Sequence, residues 1–220
     1  LGMVDEATTL RDWLKGELAD WMSAERDGTL DSEKYFVYDP NWSTLLGMEE
    51  SFASHQQLND HHFHYGYFIR AAAEVCRVDK AFCSDEQYGQ IFELLIRDYA
   101  GGKNDPMFPY LRNFDPANGF SWASGHANFV RGNNNESTSE AANAYGAMVL
   151  YGLVTGNDYI MERGMYLHAS TSATYWEYWN DIDGYLGGDP DARNFPPGYP
   201  RITTSIIWGC LLYTSDAADD

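Results

Sequence analysis

The segment SDEQYGQIFELLIRDYAGG, residues 84–102, decides the fold class of this chain. Ser84, with Gln87 three residues later, resembles a capping box, which is typical of a helix N-terminus. The apolar residues that follow recur at helical spacing: Ile91, Leu94, Leu95 and Tyr99. The pair Gly101-Gly102 ends the pattern, as glycine commonly does after a helix. The spacing predicts an amphipathic helix that buries one face.

Four further segments show helical spacing on either side of this one. The sequence predicts helices near residues 9–24, 62–78, 136–154 and 157–179. Thr8 and Thr9 are candidate N-caps of the first helix, and Gly156 is a candidate cap at the end of the helix near 136–154. Because the link at Gly156-Asn157 is short, we expect the last two helices to form an antiparallel hairpin.

Two long stretches between these helices carry little periodic signal. Residues 35–58 read as a loop with one short strand, and residues 103–135 are rich in Gly, Pro, Asn and aromatic residues. A connection as long as the second is usually functional. Five helices joined by irregular loops place the chain in the all-α class, and a toroid of antiparallel helical hairpins is one arrangement that fits. No clean sequence repeat supports the toroid from periodicity alone.

The composition excludes two classes of partner. The 220 residues include 33 acidic and 14 basic side chains, which gives a formal net charge of −19. Such a surface repels phosphates and anionic lipids, so we expect neither a nucleic acid nor a membrane as a partner. Neutral sugars fit the charge, and aromatic residues, at 15% of the chain, can supply both a core and a ligand surface.

The cysteines and the C-terminal end need separate treatment. Residues 210–220 follow an apolar segment abruptly and look like a translated sequencing adapter, so we interpret them as a non-native tail. Cys76 and Cys83 could form a disulfide or remain as two buried thiols. No Cys/His grouping with zinc spacing is present in the sequence.

A dense cluster of polar groups lies at a loop-to-helix junction, in the run NDHHFHYGY at residues 59–67. One interpretation is that Asp60 only caps the helix that follows. A metal site is a second, because His61 and His64 lie three residues apart on one helical face, with His62 beside them. The run lacks the HExxH pattern and an acidic partner one turn on, so the metal signal is weak.

A second polar cluster is NNNESTSEA, at residues 133–141. Glu136 and Glu140 are four residues apart, and we expect both to project from the same side of a helical turn. One interpretation is an acidic first turn that complements the helix dipole. The Asn, Ser and Thr side chains around the glutamates could instead hold carboxylates and water, which favours a functional site.

Together the two clusters have the composition that glycoside hydrolysis requires. One carboxyl group protonates the leaving oxygen, and the other attacks the sugar or activates water. Flat aromatic rings bind pyranose faces. Candidate platforms, each of which is also a candidate core residue, are Trp42, Tyr65, Phe120 and Trp122.

These stretches resemble glycoside hydrolase family 81, the endo-β-1,3-glucanases. The resemblance covers most of residues 9–209, in family order, and rests on YFVYDPNW (35–42), QLNDHHFHYGY (57–67), LIRDY (95–99), FPYLRNFDP (108–116), SWASGH (121–126) and NESTSEA (135–141). The run NDHHFHYGY is the most specific of them.

The resemblance implies endo-acting, inverting hydrolysis of β-1,3-glucosidic bonds in laminarin-like or fungal-wall glucans, without a cofactor or metal. It implies Asp60 as the general acid and Glu136 or Glu140 as the general base. Glu136 is slightly favoured, with Glu140 positioning water or substrate. Residues that it implies beside the acid or at sugar subsites are His64, Tyr65, Trp122 and His126. Trp42 and Asn135 are further candidates for sugar contact.

This mechanism sets conditions on the site. The acid must stay protonated near neutral pH, so burial or a nearby negative charge must raise the pKa of Asp60. The imidazoles beside it are expected to be neutral or hydrogen-bonded elsewhere. Inversion also requires a water between base and sugar, which predicts carboxyl groups about 6.5–9.5 Å apart.

The resemblance further implies an (α/α)6 toroid, of which residues 1–209 would be a partial catalytic domain, in a secreted or extracellular protein that acts on β-1,3-glucan. Two other interpretations compete. A non-catalytic glucan-binding protein would explain the aromatic residues and the acidity, but it does not need paired glutamates opposite a histidine-flanked aspartate. A calcium-stabilised module would use aspartates whose spacing departs from the EF-hand pattern. They are Asp181, Asp183, Asp189 and Asp191.

Overall fold

A computed structural model of the chain describes residues 2–125, 132–180 and 207–209. These residues are mostly helical, with small two-stranded sheets beside the helices. The α-helices are α1 (Val4–Trp21), α2 (His61–Cys76), α3 (Gly89–Ala100), α4 (Thr138–Thr155) and α5 (Asp158–Thr174). A 3-10 helix, Lys80–Cys83, follows α2, and α5 continues as a π-helix, Tyr175–Trp179.

The strands form four antiparallel pairs, each made of neighbours in strand order. They are β1 (Glu25–Arg26), β2 (Thr29–Leu30), β3 (Phe36–Asp39), β4 (Thr44–Gly47), β5 (Phe114–Asp115), β6 (Phe120–Ser121), β7 (Asn133–Asn135) and β8 (Ile207–Gly209). In the β3–β4 hairpin, Phe36 lies opposite Gly47 and Asp39 opposite Thr44. The sequence predicted a loop with one short strand in this stretch, so one of the two strands of the hairpin was not predicted.

Helices α2 and α4 form the centre of the molecule, with α3 packed on α2 and α5 packed on α4. Their crossing is close because Gly66 on α2 has no side chain. A Cβ built there would lie 2.5 Å from the Cβ of Ala144 on α4, which is closer than atoms can approach. The two helices that carry the polar clusters of the sequence are therefore direct neighbours.

The main core lies between these helices and is rich in aromatic side chains. Its fully buried members include Tyr99, Tyr145, Tyr151, Phe82 and Phe92. Each large apolar side chain buried in this way contributes roughly 1.5–3 kcal/mol to stability. A second, smaller cluster consists of Phe120, Trp122 and Tyr175, with Trp179 packed against it.

The five predicted helices are confirmed, but two predicted N-caps are wrong. α1 begins at Val4, five residues before the expected start, and the hydroxyl of Thr9 donates to the carbonyl of Asp5 inside the helix. α3 begins at Gly89 rather than at the capping-box motif. Ser84 instead follows the 3-10 helix, and its carbonyl accepts from the backbone of Gln87 in a turn.

The predicted end of α4 is confirmed and its predicted start is wrong. Gly156 takes the left-handed conformation, with φ of 76°, directly after the helix. The helix begins at Thr138, so Glu136 precedes it and the two glutamates are not on one helical turn. Asn157 then caps α5, where its side chain accepts from the backbone N–H of Ile160 at 3.2 Å.

Cys76 and Cys83 form a disulfide, one of the two states that the sequence left open, and it ties the C-terminal end of α2 to the 3-10 helix.

None of the described helices combines the length and the apolar character that crossing a bilayer requires. The four aspartates of the calcium interpretation and the interpreted tail at 210–220 lie outside the described residues.

Candidate active site

The backbone of Asp60 is held in a rare conformation at the start of α2. Its φ of 60° lies in the left-handed region, which costs a non-glycine residue of order 1–2 kcal/mol and is common at functional sites. The N–H of Asp60 donates to the carbonyl of Ala123 at 2.7 Å, and its carbonyl accepts from the N–H of His64 at 2.9 Å. Asp60 occupies the N-cap position of α2, as one interpretation of the sequence expected, but its side chain makes no capping hydrogen bond, so capping does not account for the carboxyl group.

The carboxyl group of Asp60 is buried without compensation. Only 8% of the residue is exposed, and its Oδ1 has no hydrogen-bond partner among the described residues. Burial, followed by the charges of Glu136 and Glu140, raises the pKa of Asp60 to about 7, against the opposing charge of His61. Burial and neighbouring negative charge are the causes that the sequence analysis expected, and a pKa near 7 lets a substantial fraction of the carboxyl groups carry a proton at neutral pH.

Both polar clusters of the sequence meet at one small cleft of ≈ 240 Å³. Its walls consist of Phe52, Asn59, Asp60, Phe63, His64, Glu136 and Glu140. A second left-handed residue, Ser137 with φ of 47°, precedes α4 just as Asp60 precedes α2. The three carboxyl groups predicted to be catalytic therefore face the same space from the N-terminal ends of two neighbouring helices.

The two glutamates have different surroundings in this cleft. Glu136 is exposed, and its carboxylate accepts from the side-chain amide of Asn134 at 3.4 Å. Glu140 is half-buried, and its Oε1 accepts from the hydroxyl of Tyr67 at 3.0 Å. Glu140 is thus held by α2, whereas Glu136 is open to water.

The first of the three histidines is part of the core. His61 is fully buried: its Nε2 donates to the carbonyl of Ser54 at 2.8 Å, and its Nδ1 lies 2.9 Å from Oδ1 of Asp98. Both ring nitrogens of His61 are therefore occupied by contacts within the core. Arg112 lies 3.5 Å from the same carboxylate, and Thr44 donates to it at 2.8 Å.

The other two histidines point elsewhere. His62 is fully buried, packs against the ring of Phe63, and has no hydrogen-bond partner for either ring nitrogen among the described residues. Burial, with the charges of His61 and His64, holds the pKa of His62 well below its usual value. Burial also lowers the pKa of His64, which lines the cleft, so the imidazoles are neutral or hydrogen-bonded away, as predicted.

These separate environments argue against the metal interpretation of the histidine run. Across residues 2–125, 132–180 and 207–209, no group of three or more His, Cys, Asp and Glu side chains is arranged to hold a metal ion. His61 is engaged with a carboxylate and a carbonyl, and His62 faces the core. Of the three, His64 alone lines the cleft.

The structure does not bring all the implied sugar-contacting residues to this cleft. Tyr65 is buried, and its hydroxyl donates to the carbonyl of Leu45 at 2.6 Å. Trp122 packs in the second core cluster and donates to Asp115, and Asn135 is buried in β7. Trp42 is 60% exposed and is not part of the cleft wall. His126 lies outside the described residues.

Several residues of the site escaped the sequence analysis. Phe52 lies in a loop without periodicity, and its φ of 52° gives no sequence signal. Tyr67 is in the NDHHFHYGY run, but the sequence does not show that its hydroxyl reaches Glu140 on another helix. Asp98 and Arg112 belong to stretches that carry the family resemblance, and buried opposite charges of this kind could have been proposed as a pair.

Residues 4–184 match the model of the glycosyl hydrolase family 81 C-terminal domain. The chain belongs to glycosyl hydrolase family 81. This match covers every described cleft residue, so the cleft lies within the family domain.

Curated relatives and a solved structure agree with this assignment. The chain is 43% identical to a glucan endo-1,3-beta-D-glucosidase of Acetivibrio thermocellus, over 95% of the chain and 26% of that protein. It is 39% identical to one of Thermobifida fusca, over 94% of the chain and 26% of that protein. A mutant of a glycoside hydrolase family 81 protein from Clostridium thermocellum superposes with a TM-score of 0.83 at 41% identity, over 94% of this chain and 28% of that one.

The chain spans about a quarter of the length of these curated relatives.

Proposed function

We propose that the protein containing this chain hydrolyses internal β-1,3-glucosidic bonds in β-1,3-glucans by inverting acid/base catalysis. The observation that carries the proposal is the cleft in which Asp60, with its pKa raised to about 7, faces Glu136 and Glu140. A protonated carboxyl group opposite an ionised one is the arrangement that glycoside hydrolysis requires. Two relatives are glucan endo-1,3-beta-D-glucosidases, which supports β-1,3-glucan as the substrate.

The proposed roles follow from exposure and hydrogen bonding. Asp60 donates its proton to the glycosidic oxygen as the bond to the anomeric carbon breaks. Glu136, which is exposed, takes a proton from the attacking water on the opposite face of the sugar. Glu140, already held by Tyr67, positions that water or a sugar hydroxyl and helps to keep Asp60 protonated through its negative charge.

The neighbouring histidines allow this assignment of the acid. A cation beside Asp60 would favour its ionised form. Burial lowers the pKa of His64, which favours its neutral form, and the ring of His61 contacts the carboxylate of Asp98 at 2.9 Å. A protein that only binds glucan does not need a buried carboxyl group whose pKa is raised in this way.

The experiment is NMR detection of the anomer released from laminarin by the full-length natural protein, with three variants beside it. We expect the α-anomer as the first product. Asp60→Asn is expected to reduce kcat by about 10²–10⁴, the usual contribution of a general acid. Glu136→Gln is expected to do the same, and Glu140→Gln to cause a smaller loss.

Each of the other outcomes identifies a different error. Release of the β-anomer would contradict inversion and leave the substrate class in place. Equal loss of laminarin binding and hydrolysis in Asp60→Asn would favour the glucan-binding protein. A larger loss in Glu140→Gln than in Glu136→Gln would exchange the roles of the two glutamates.

We also propose that the five helices are part of an (α/α)6 toroid. The support is their arrangement, because α2 and α4 lie side by side with α3 and α5 on their flanks, as successive hairpins of a toroid do. A crystal structure of the full-length protein tests it: a bundle that does not close around an axis would contradict the toroid.

Secretion or an extracellular location is a further proposal, since disulfides persist in oxidising compartments. The support is the bond between Cys76 and Cys83. Fractionation of the source cells, with thiol labelling of the recovered protein, tests it. A protein recovered only from the cytosol with both thiols free would contradict it.

A further inference from the structure

One wall of the catalytic cleft is a loop with an unusual backbone. We call residues 49–60 the wall loop, because Phe52, Asn59 and Asp60 at the cleft belong to it. Five of its residues have φ in the left-handed region although none of them is glycine: Glu49, Phe52, Ala53, Leu58 and Asp60. Such a conformation persists only where the surrounding structure imposes it. Contacts from outside the wall loop must therefore hold its shape.

The two halves of the wall loop are held by different parts of the fold. Its C-terminal half is tied to residues 123–125 by hydrogen bonds of 2.6–2.8 Å. Its N-terminal half carries Phe52, and His61 reaches this half from α2. Nε2 of His61 donates to the carbonyl of Ser54 at 2.8 Å. This bond fixes the backbone two residues from Phe52.

Ser54 ends the tight turn that presents Phe52 to the cleft. Its N–H donates to the carbonyl of Ser51 at 3.0 Å, and its hydroxyl oxygen accepts from the N–H of Ser51 at 3.3 Å. Phe52 and Ala53 are the two central residues of this turn, and both have positive φ. Phe52 is 75% exposed, so its own side chain has little packing to hold it. The position of its ring therefore depends on how the turn is fixed at Ser54.

The ring of His61 is itself a fixed donor. It is fully buried, and its Nδ1 lies 2.9 Å from Oδ1 of Asp98 on α3. The carboxylate of Asp98 is held in turn by the hydroxyl of Thr44 at 2.8 Å and by Arg112 at 3.5 Å. A ring held from both sides cannot turn away from Ser54. The wall loop is thus connected through His61 to the buried network of α3.

We propose that His61 is a positioning residue for the reaction: its ring, anchored on Asp98, holds the turn at residues 51–54 and so places Phe52 in the catalytic cleft. The inference rests on the proposed function, because it assigns a task within that same site. His61 does not line the cleft, so it acts through the wall loop and not on the sugar. A purely structural role would require only that the ring fill the core.

Two substitutions separate the two contacts of the ring. The amide nitrogen of glutamine is as many bonds from Cα as Nε2 of histidine, and that of asparagine is as many as Nδ1. His61→Gln therefore keeps a donor for Ser54 and loses the contact with Asp98, whereas His61→Asn does the reverse. Both variants remove the imidazole, so any effect of its charge on Asp60 is common to the two.

We expect activity and stability to follow opposite orders in these variants. In the full-length protein acting on laminarin, His61→Asn should raise KM about tenfold with a smaller change in kcat, because the displaced wall weakens sugar binding. His61→Gln should keep KM within about threefold of wild type. It should nevertheless have the lower Tm, because the buried carboxylate of Asp98 loses a partner. His168→Asn, which removes an exposed imidazole on α5, is the control and should change neither quantity.

Hydrogen exchange provides a readout that does not depend on turnover. Amides of residues 51–57 should exchange about fivefold faster in His61→Asn than in wild type, since one hydrogen bond that holds them is lost. Amides of α3 should not change. This comparison and the KM of His61→Asn test the inference even if His61→Gln does not fold.

The outcomes separate this inference from the proposed function. KM values that follow Tm across the variants would overturn the positioning role. Equal exchange at residues 51–57, or faster exchange without a change in KM, would overturn it as well. Wild-type hydrolysis of laminarin that Asp60→Asn abolishes would uphold the proposed function in each of these cases.

Discussion

Two buried aspartates lie close to His61 and differ in almost every other respect. Asp98 on α3 is fully buried, and its carboxylate contacts His61, Arg112 and Thr44. Asp60 at the start of α2 is nearly as buried, yet its Oδ1 has no partner among the described residues. The comparison separates a carboxyl group that holds the fold together from one that is available for chemistry.

The two pKa values move in opposite directions for identifiable reasons. Burial raises the pKa of Asp98, but the charge and hydrogen bond of His61, followed by Arg112, outweigh burial and hold it below its usual value. Burial also raises the pKa of Asp60, and there Glu136 and Glu140 add to the effect. Burial alone therefore does not decide which form is present, since the sign of the neighbouring charges does.

The largest expected effect comes from breaking the network of Asp98. Asp98→Asn leaves His61 and Arg112 without their buried counter-charge, so we expect the free energy of unfolding to fall by about 3–5 kcal/mol. Urea denaturation measures the change. Glu74→Gln, which removes an exposed partner of Arg77, is the matched control and should cost far less. A similar loss in both variants would show that burial of the pair is unimportant.

Replacing Asp60, unlike replacing Asp98, should raise the free energy of unfolding relative to wild type as the pH rises. The pKa of Asp60 is raised from 3.8 to about 7, so the folded state binds its proton more tightly than the unfolded state does. Wild-type stability should therefore fall as the pH rises from about 4 to 7 through this group, and an asparagine does not titrate.

We expect Asp60→Asn to raise the free energy of unfolding relative to wild type by about 2–4 kcal/mol more at pH 8 than at pH 4. Denaturant titration of both proteins at the two pH values measures this difference. A difference that is independent of pH would mean that the carboxyl group of Asp60 is not perturbed in the folded state.

The sequence predicted the helices, and the neighbourhood of three carboxyl groups, better than it predicted local geometry. The five periodic segments are helices because their apolar residues recur on one face, which depends only on spacing. Asp60, Glu136 and Glu140 were identified from two short motifs, and they share one cleft. Spacing could not reveal that Asp60 and Ser137 adopt left-handed conformations, because tertiary contacts such as the bond to Ala123 impose them.

Aromatic residues were the least predictable part of the site. A tryptophan or tyrosine that packs in a core and one that binds a sugar have the same composition signal. Trp122 joined a core cluster, and Tyr65 became a buried donor to Leu45. Composition does not separate these two roles, because the tertiary contacts of each ring decide them.

A smaller effect is expected at the opposite end of α2. The disulfide closes a short loop between Cys76 and Cys83, so the double variant Cys76→Ser and Cys83→Ser should lose about 2–3 kcal/mol of stability. Thermal unfolding measures the loss. Because the bond lies at the far end of the helix from Asp60, the pH dependence of kcat/KM should not change. A shifted profile would mean that α2 transmits strain to the acid.

The smallest expected effect comes from the hydroxyl of Tyr67, which contacts Glu140. Tyr67→Phe removes the donor to Glu140 and keeps the aromatic ring. Because Tyr67 is largely exposed, we expect kcat to fall by only about two- to fivefold, with no change in oligosaccharide affinity. Steady-state kinetics on laminarin measure the change. A loss of a hundredfold would place this hydroxyl among the catalytic groups.

The most direct test of the account is the titration of the Asp60 carboxyl carbon by ¹³C NMR in the full-length protein, assigned by comparison with Asp60→Asn. We predict a midpoint near pH 7 that moves to lower pH in both Glu136→Gln and Glu140→Gln, since each variant removes a neighbouring negative charge. A midpoint near pH 4 that neither variant moves would contradict the assignment of Asp60 as the general acid.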